Sequence, residues 1–221
     1  MKFSIRWLLP CLLTTTLIGC GLPTVAYLYP PKSMTVENAT IRIQNDSQNF
    51  ETSEGGTQTF KGIEVFYRIY QDNSTASTML STLGTLSESY DENPDRFIEV
   101  ATGSSYKFMR LRNSVDRIQP LLSIAATDDA TYYIQLNGLS NWTLTNGSTI
   151  HNVIRTISTT SDDRFYARDF KTGDDDYGGT TSGSGSTYYM VFFAVSYGQD
   201  QTTVGQNVYS MPFIPSSYVT Y

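Results

Sequence analysis

The sequence predicts a mainly β protein, built as an antiparallel sandwich. Short runs rich in β-branched and aromatic residues are separated by clusters of Asn, Asp, Gly and Ser, the punctuation of strands and turns. Long helical periodicity is nearly absent. The segment Tyr188–Tyr197 is apolar at both odd and even positions, as a strand covered on both faces must be.

In chain order, the predicted strands are Thr40–Gln44, Gly62–Tyr70, Phe97–Ala101, Leu121–Ala126, Tyr132–Leu136, Tyr188–Tyr197 and Asn207–Phe213. Within Gly62–Tyr70, Ile63, Val65, Tyr67 and Ile69 form one apolar face, while Glu64 and Arg68 mark the other as wet or only partly covered. One helix is expected between Asn73 and Tyr90, where Met79, Leu80, Leu83, Leu86 and Tyr90 recur at helical spacing. Its Ser and Thr residues and Gly84 are weak helix formers, so its apolar stripe must hold it.

The N-terminus has the layout of an export signal. Lys2 and Arg6 supply positive charge, and Trp7–Ile18 is an apolar run too short to span a bilayer as a helix, which takes roughly 20 residues. Leu17-Ile18-Gly19-Cys20 resembles the lipobox of bacterial lipoproteins. The resemblance implies removal of residues 1–19, acylation of Cys20 and a partner in the membrane itself, at the outer membrane or cell surface rather than the inner membrane. Several acyl chains would hold firmly, since each buried methylene adds about 0.8 kcal/mol.

Residues 20–33, with Pro23, Pro30, Pro31, Tyr27 and Tyr29, read as a lipidated end and extended tether. Of the 15 basic residues, losing Lys2 and Arg6 leaves 13 against 21 acidic, a formal charge of −8. That balance argues against a nucleic-acid partner and against electrostatic adhesion to anionic lipid. Cys11 departs with the signal and Cys20 is consumed by lipid, so neither a disulfide nor thiol chemistry is expected.

Ala39–Gln44 followed by Gly62-Ile63-Glu64-Val65-Phe66-Tyr67-Arg68 resembles strands B and C of a fibronectin type III domain, an immunoglobulin-like sandwich. Tyr188–Val195, Gly198 and Ser210 are similar to its strand F, F-G loop and strand G, with Tyr188 as the corner tyrosine. The family's tryptophan near the end of strand B is missing, Gln44 and Asn45 standing there. The resemblance therefore implies a single domain over residues 34–221 with a large insertion, about 71–187, that includes a short helix and folds over the outside of the sheet. Lipobox, Tyr-rich tether and these strands together also resemble uncharacterised spirochaete lipoproteins, which implies an envelope location but says nothing of an activity.

No catalytic set is visible. His151 is the sole histidine, lies in a predicted strand edge, and has no nucleophile elbow to serve. Zinc lacks ligands, and no cofactor motif is present. Asp174, Asp175 and Asp176, with Asp162, Asp163 and Asp169 upstream, could attract calcium, but the spacing is not that of an EF-hand. They read instead as a solvated, mobile loop running through Gly178, Gly179, Gly183 and Gly185. No pair of carboxylates is singled out for glycoside cleavage.

Sixteen tyrosines suit either the gripping of sugars and proteins or ordinary strand packing, and the second reading is preferred. Asn38, Asn45, Asn73, Asn141 and Asn146 open Asn-x-Ser/Thr triplets, read as accidents of an Asn/Ser/Thr-rich surface. The terminal Tyr221 suits an outer-membrane barrel, but too few alternating strands accompany it. The expectation is a non-enzymatic lipoprotein binding a protein or glycan. The alternative is a small-molecule or glycan receptor with a pocket between sandwich and insertion.

Overall fold

The computed structural model describes residues 27–221 apart from 38, 50–57, 116, 119, 124–130, 137–141, 147–148, 158–164, 167–168, 182–186 and 202–204. The signal, the lipobox, Cys20 and Asn38, Asn141, Asp162 and Asp163 lie outside those residues.

Strands β1 (Ser33–Glu37) and β2 (Thr40–Gln44) form a hairpin whose turn is set by Ala39 at φ +57°. After β3 (Gln58–Tyr70) come helices α1 (Asn73–Ser89) and α2 (Pro94–Thr102). Short strands β4 (Met109–Arg110), β5 (Arg112–Asn113) and β6 (Leu122–Ser123) follow, then β7 (Thr131–Gln135), β8 (Trp142–Asn146) and β9 (Thr149–Ile154). The chain closes with β10 (Tyr189–Asp200), β11 (Asn207–Tyr209) and β12 (Val219–Thr220).

The strands make two antiparallel sheets in the manner of a β-sandwich. Sheet A has the order β1-β2-β7-β8-β9-β5, and sheet B has β11-β10-β3-β4, with β12 added to β10 and β6 to β3. The centre of sheet B is the long pairing of β3 with β10, from Tyr70 opposite Tyr189 to Gln58 opposite Asp200. At one point along it Gly62 takes φ +146°, and a Cβ there would lie 2.0 Å from the Leu122 carbonyl oxygen on β6. Only glycine lets the two backbones approach so closely.

The odd positions of β3 face Met190, Phe192 and Ala194 of β10 and the inner residues of sheet A, Ile41, Ile43, Ile134, Leu144 and Val153. The opposite face of sheet B, Phe66, Tyr70, Val191, Phe193 and Val195, packs against Ala76 and Leu83 of α1 and Phe97, Ile98 and Ala101 of α2. β10 is thus covered on both sides, which is why its sequence is apolar at every step from Tyr189 to Val195. The face of β3 expected to be wet or only partly covered packs on the helices at Phe66 and Tyr70, Arg68 is half-buried, and Glu64 is only 2% exposed.

Three further expectations change. Phe97–Ala101, read as a strand, is helical: the Asn93 side chain accepts from the Arg96 N–H at 3.0 Å, and Pro94 and Asp95 stand in the first turn. The β-branched run follows its cap and packs Phe97, Ile98 and Ala101 on one side. Asn207–Phe213 is a strand only to Tyr209, with Phe213 bridging back to Ala194. The tether expected to reach Ser33 is shorter. Leu28 is buried in the inter-sheet core, Tyr29 and Asn49 exchange hydrogen bonds at 2.9 and 3.0 Å, and the Lys32 N–H reaches the Gln44 carbonyl.

Candidate functional site

Two ionic clusters lie inside the fold. The first joins the end of β9 to the acidic loop before β10. Arg155, fully buried, donates from Nε to Asp176 Oδ2 at 2.8 Å and from Nη2 to Asp176 Oδ1 at 2.6 Å. Nη2 also reaches Asp174 Oδ2 at 2.8 Å, and Nη1 the Asp169 carbonyl at 3.1 Å. The guanidinium stands 4.9 Å from the centre of the Phe170 ring.

Tyr67 of β3 completes the cluster, its hydroxyl donating to Asp176 Oδ2 at 2.5 Å and accepting from the Thr156 N–H at 3.3 Å. Burial pulls the Arg155 pKa down, but the hydrogen bond and charge of Asp176, with Asp174, outweigh it and the net displacement is upward. Burial, then the Asp176 charge, pushes the Tyr67 hydroxyl well above its ordinary value. The guanidinium therefore stays charged and the phenol neutral at neutral pH.

This arrangement overturns the reading of the acidic loop as solvated and mobile at Asp174 and Asp176, while Gly183 and Gly185 lie outside the described residues. Asp174 and Asp176 are 6% and 0% exposed, and the loop is tied to β3 by Ile69 N–H to Asp176 O and Gly178 N–H to Ile69 O. The cation between the two carboxylates is the protein's own guanidinium. Among the described residues no group of three metal-ligating side chains converges. The cluster acts as a clasp.

The second cluster surrounds Glu64. Arg110 Nη1 donates to Glu64 Oε1 at 3.1 Å, Arg110 Nε stands 3.0 Å from Oε2, and Arg112 is 3.7 Å away. Arg110 Nη2 also donates to the Tyr209 hydroxyl at 2.6 Å. Burial raises the Glu64 pKa against the opposing pull of Arg110 and Arg112. Desolvation wins there, so the carboxyl is easier to protonate than a free one.

The remaining candidates fall apart in space. His151 is half-buried on β9 opposite Leu144. Asn45 is fully buried, and Asn73 accepts from the Tyr218 hydroxyl at 2.6 Å. Tyr221 is not a barrel signature here: it pairs with Tyr188 and packs near Trp142 and Phe170. Trp142 of β8, stacked on Phe165 at 3.7 Å, supplies the tryptophan of the inter-sheet core.

Between sheet B and the helices the space holds packed rings: Phe193 stacks on Phe66 at 4.7 Å and meets Phe97 and Phe108. A depression of about 380 Å³ occurs elsewhere, on the outer face of sheet A, lined by Thr35, Glu37, Thr40, Arg42 and Tyr133. These come from three adjacent strands in register, Thr35 opposite Arg42 and Arg42 opposite Tyr133. Tyr133 is one of two tyrosines largely open to solvent, with Tyr27, while Tyr67, Tyr70, Tyr132, Tyr177, Tyr188 and Tyr209 are buried. Most tyrosines here pack. Tyr133, an outward residue in a strand whose Tyr132 and Ile134 face in, is the exposed ring that alternation in the sequence could have singled out.

No helix among the described residues is long and apolar enough to cross a membrane. Comparison with protein families, with curated proteins and with solved structures finds no significant match.

Proposed function

We propose that this chain is a lipid-anchored envelope protein whose fibronectin type III-like sandwich serves as a non-enzymatic binding module. The observation that carries the anchor is the order of Lys2 and Arg6, the apolar run and Leu17-Ile18-Gly19-Cys20. Burial of Leu28 adds a constraint: it stands eight positions after Cys20, so the lipid lies within about 30 Å of the fold at roughly 3.3–3.6 Å per residue.

Leu28 sits beside Gly198 of β10, close to Thr59 of β3. Leu28 therefore enters the fold at that end of the sandwich, and the clasp at Ile69 and Tyr177 lies at the far end of β3, about 30 Å away at roughly 3.3 Å per residue. The family resemblance is supported by strand order, with β2 as B, β3 as C, β10 as F and β11 as G. The alternative, a small-molecule or glycan receptor with a pocket between sandwich and insertion, has no support where the two helices lie on sheet B, since aromatic rings fill that space.

The test is palmitate labelling of the full chain and of Cys20→Ser in a bacterial host. The native chain is expected to label and to partition with membranes, and the variant to do neither. A Cys20→Ser chain that still labels and partitions overturns the anchor.

A further inference from the structure

Among the described residues, sheet B is covered on both faces and sheet A on one. The outward positions of β1, β2, β7, β8 and β9 lie in register, and two rows cross the strands. One row is Thr35, Arg42, Tyr133, Thr145 and Ile150; the next is Glu37, Thr40, Gln135, Thr143 and Asn152. Thr35, Arg42, Tyr133 and Ile150 are exposed along the first, Glu37, Gln135 and Asn152 along the second. In those rows Arg42 and Glu37 are the only ionised side chains, although acidic residues outnumber basic ones by 21 to 15 in the whole chain. Everything else except Tyr133 and Ile150 is a hydroxyl or amide, able to donate and accept in turn.

We infer that this face binds a single extended β-1,4-linked glycan chain, of hexose or N-acetylhexosamine units, with the Tyr133 ring as its platform. The inference rests on the binding-module reading and names its ligand. Uncharged donors and acceptors match a neutral polyhydroxylated polymer better than a charged one. A rigid tyrosine ring offers a sugar its apolar face at small entropic cost, and Arg42 and Glu37 on either side of the depression supply stronger hydrogen bonds to hydroxyls. A protein interface would need an apolar centre, and Tyr133 and Ile150 are two strand spacings apart with Thr145 between them.

Spacing points the same way. Neighbouring strands repeat every ~4.8 Å, close to the advance per sugar of an extended β-1,4 chain, so successive sugars meet successive side chains of a row. Twist then selects among such polymers. At about 20–25° per strand, a row across five strands turns through roughly 80–100°, which a single chain can follow and the flat face of a crystalline polymer cannot.

The test is calorimetric titration of the full chain in detergent with chitohexaose and with cellohexaose, beside Tyr133→Ala, Gln135→Ala and, as a control on α1, Thr78→Ala. Binding of at least one hexasaccharide is expected, weakened tenfold or more by Tyr133→Ala, less by Gln135→Ala and not by Thr78→Ala. Which sugar binds assigns the unit as N-acetylated or unsubstituted. Near-ultraviolet dichroism of Trp142 checks that each variant is folded. No heat with either sugar at millimolar concentration, binding untouched by Tyr133→Ala, or retention only by crystalline chitin or cellulose overturns the inference. Capture of a purified protein partner that Tyr133→Ala leaves intact also overturns it, while leaving the binding module and its anchor standing.

Discussion

Replacing Arg155 by Met tests the clasp. The methionine preserves length and its contact with the Phe170 ring, but removes the hydrogen bonds to Asp174 and Asp176 and the positive charge. The Arg155 and Asp176 side chains are fully buried and that of Asp174 is 3% exposed, so water cannot replace the guanidinium without opening the loop. Breaking a buried pair by removing one partner costs about 3–5 kcal/mol, because the remaining charge is left uncompensated. Against the roughly 5–15 kcal/mol of an ordinary domain this is a large share.

The expected fall in melting temperature is about 6–20 °C, taking roughly 2–4 °C per kcal/mol for a chain of this size. Urea unfolding followed by Trp142 fluorescence measures it, the ring being stacked on Phe165 inside the core. The midpoint should drop with little change in slope. Adding Asp176→Asn to Arg155→Met should cost less than the two single losses together, since each removes the same interaction. A loss below 1 kcal/mol for Arg155→Met, or full additivity in the double variant, refutes the clasp.

The Glu64 pKa is raised in the fold, so the native state holds its proton more tightly than the unfolded chain, and its contribution to stability declines as pH rises through the raised value. Unfolding of the native protein and Glu64→Gln from pH 4 to 7 should show the balance moving steadily toward the variant; a constant difference contradicts it. Gly62→Ala forces a Cβ against the Leu122 carbonyl at a φ of +146°, and a loss of about 2 kcal/mol or more is expected by urea unfolding, whereas Gly205→Ala, at φ +83° with open space around it, should cost less. Equal losses would remove the steric argument.

Periodicity made β2, β3, β7, β10 and α1 legible, since each carries its full apolar repeat in a contiguous run. It failed at α2, where the apolar run reads as a strand until Asn93-Pro94-Asp95 is given the weight of a helix start. β1, only five residues long and starting where the stretch read as a tether ends, was missed, and β8–β9 lay hidden in polar alternation, although Trp142-Thr143-Leu144 and the Asn146-Gly147 pair hold a hairpin's pattern.

By itself the sequence determined the alternation of faces along the major strands, the acidity of the chain and the export and lipobox pattern around Cys20, because each is written in neighbouring residues. Tertiary structure alone decided that Asp174 and Asp176 are paired from within by Arg155, with the Tyr67 hydroxyl donating to Asp176, and that Tyr133, Arg42 and Glu37 share one surface. Charge compensation and a binding face both depend on which residues meet across strands. Tyr67 and Asp176 are 109 positions apart, and no local period encodes that meeting.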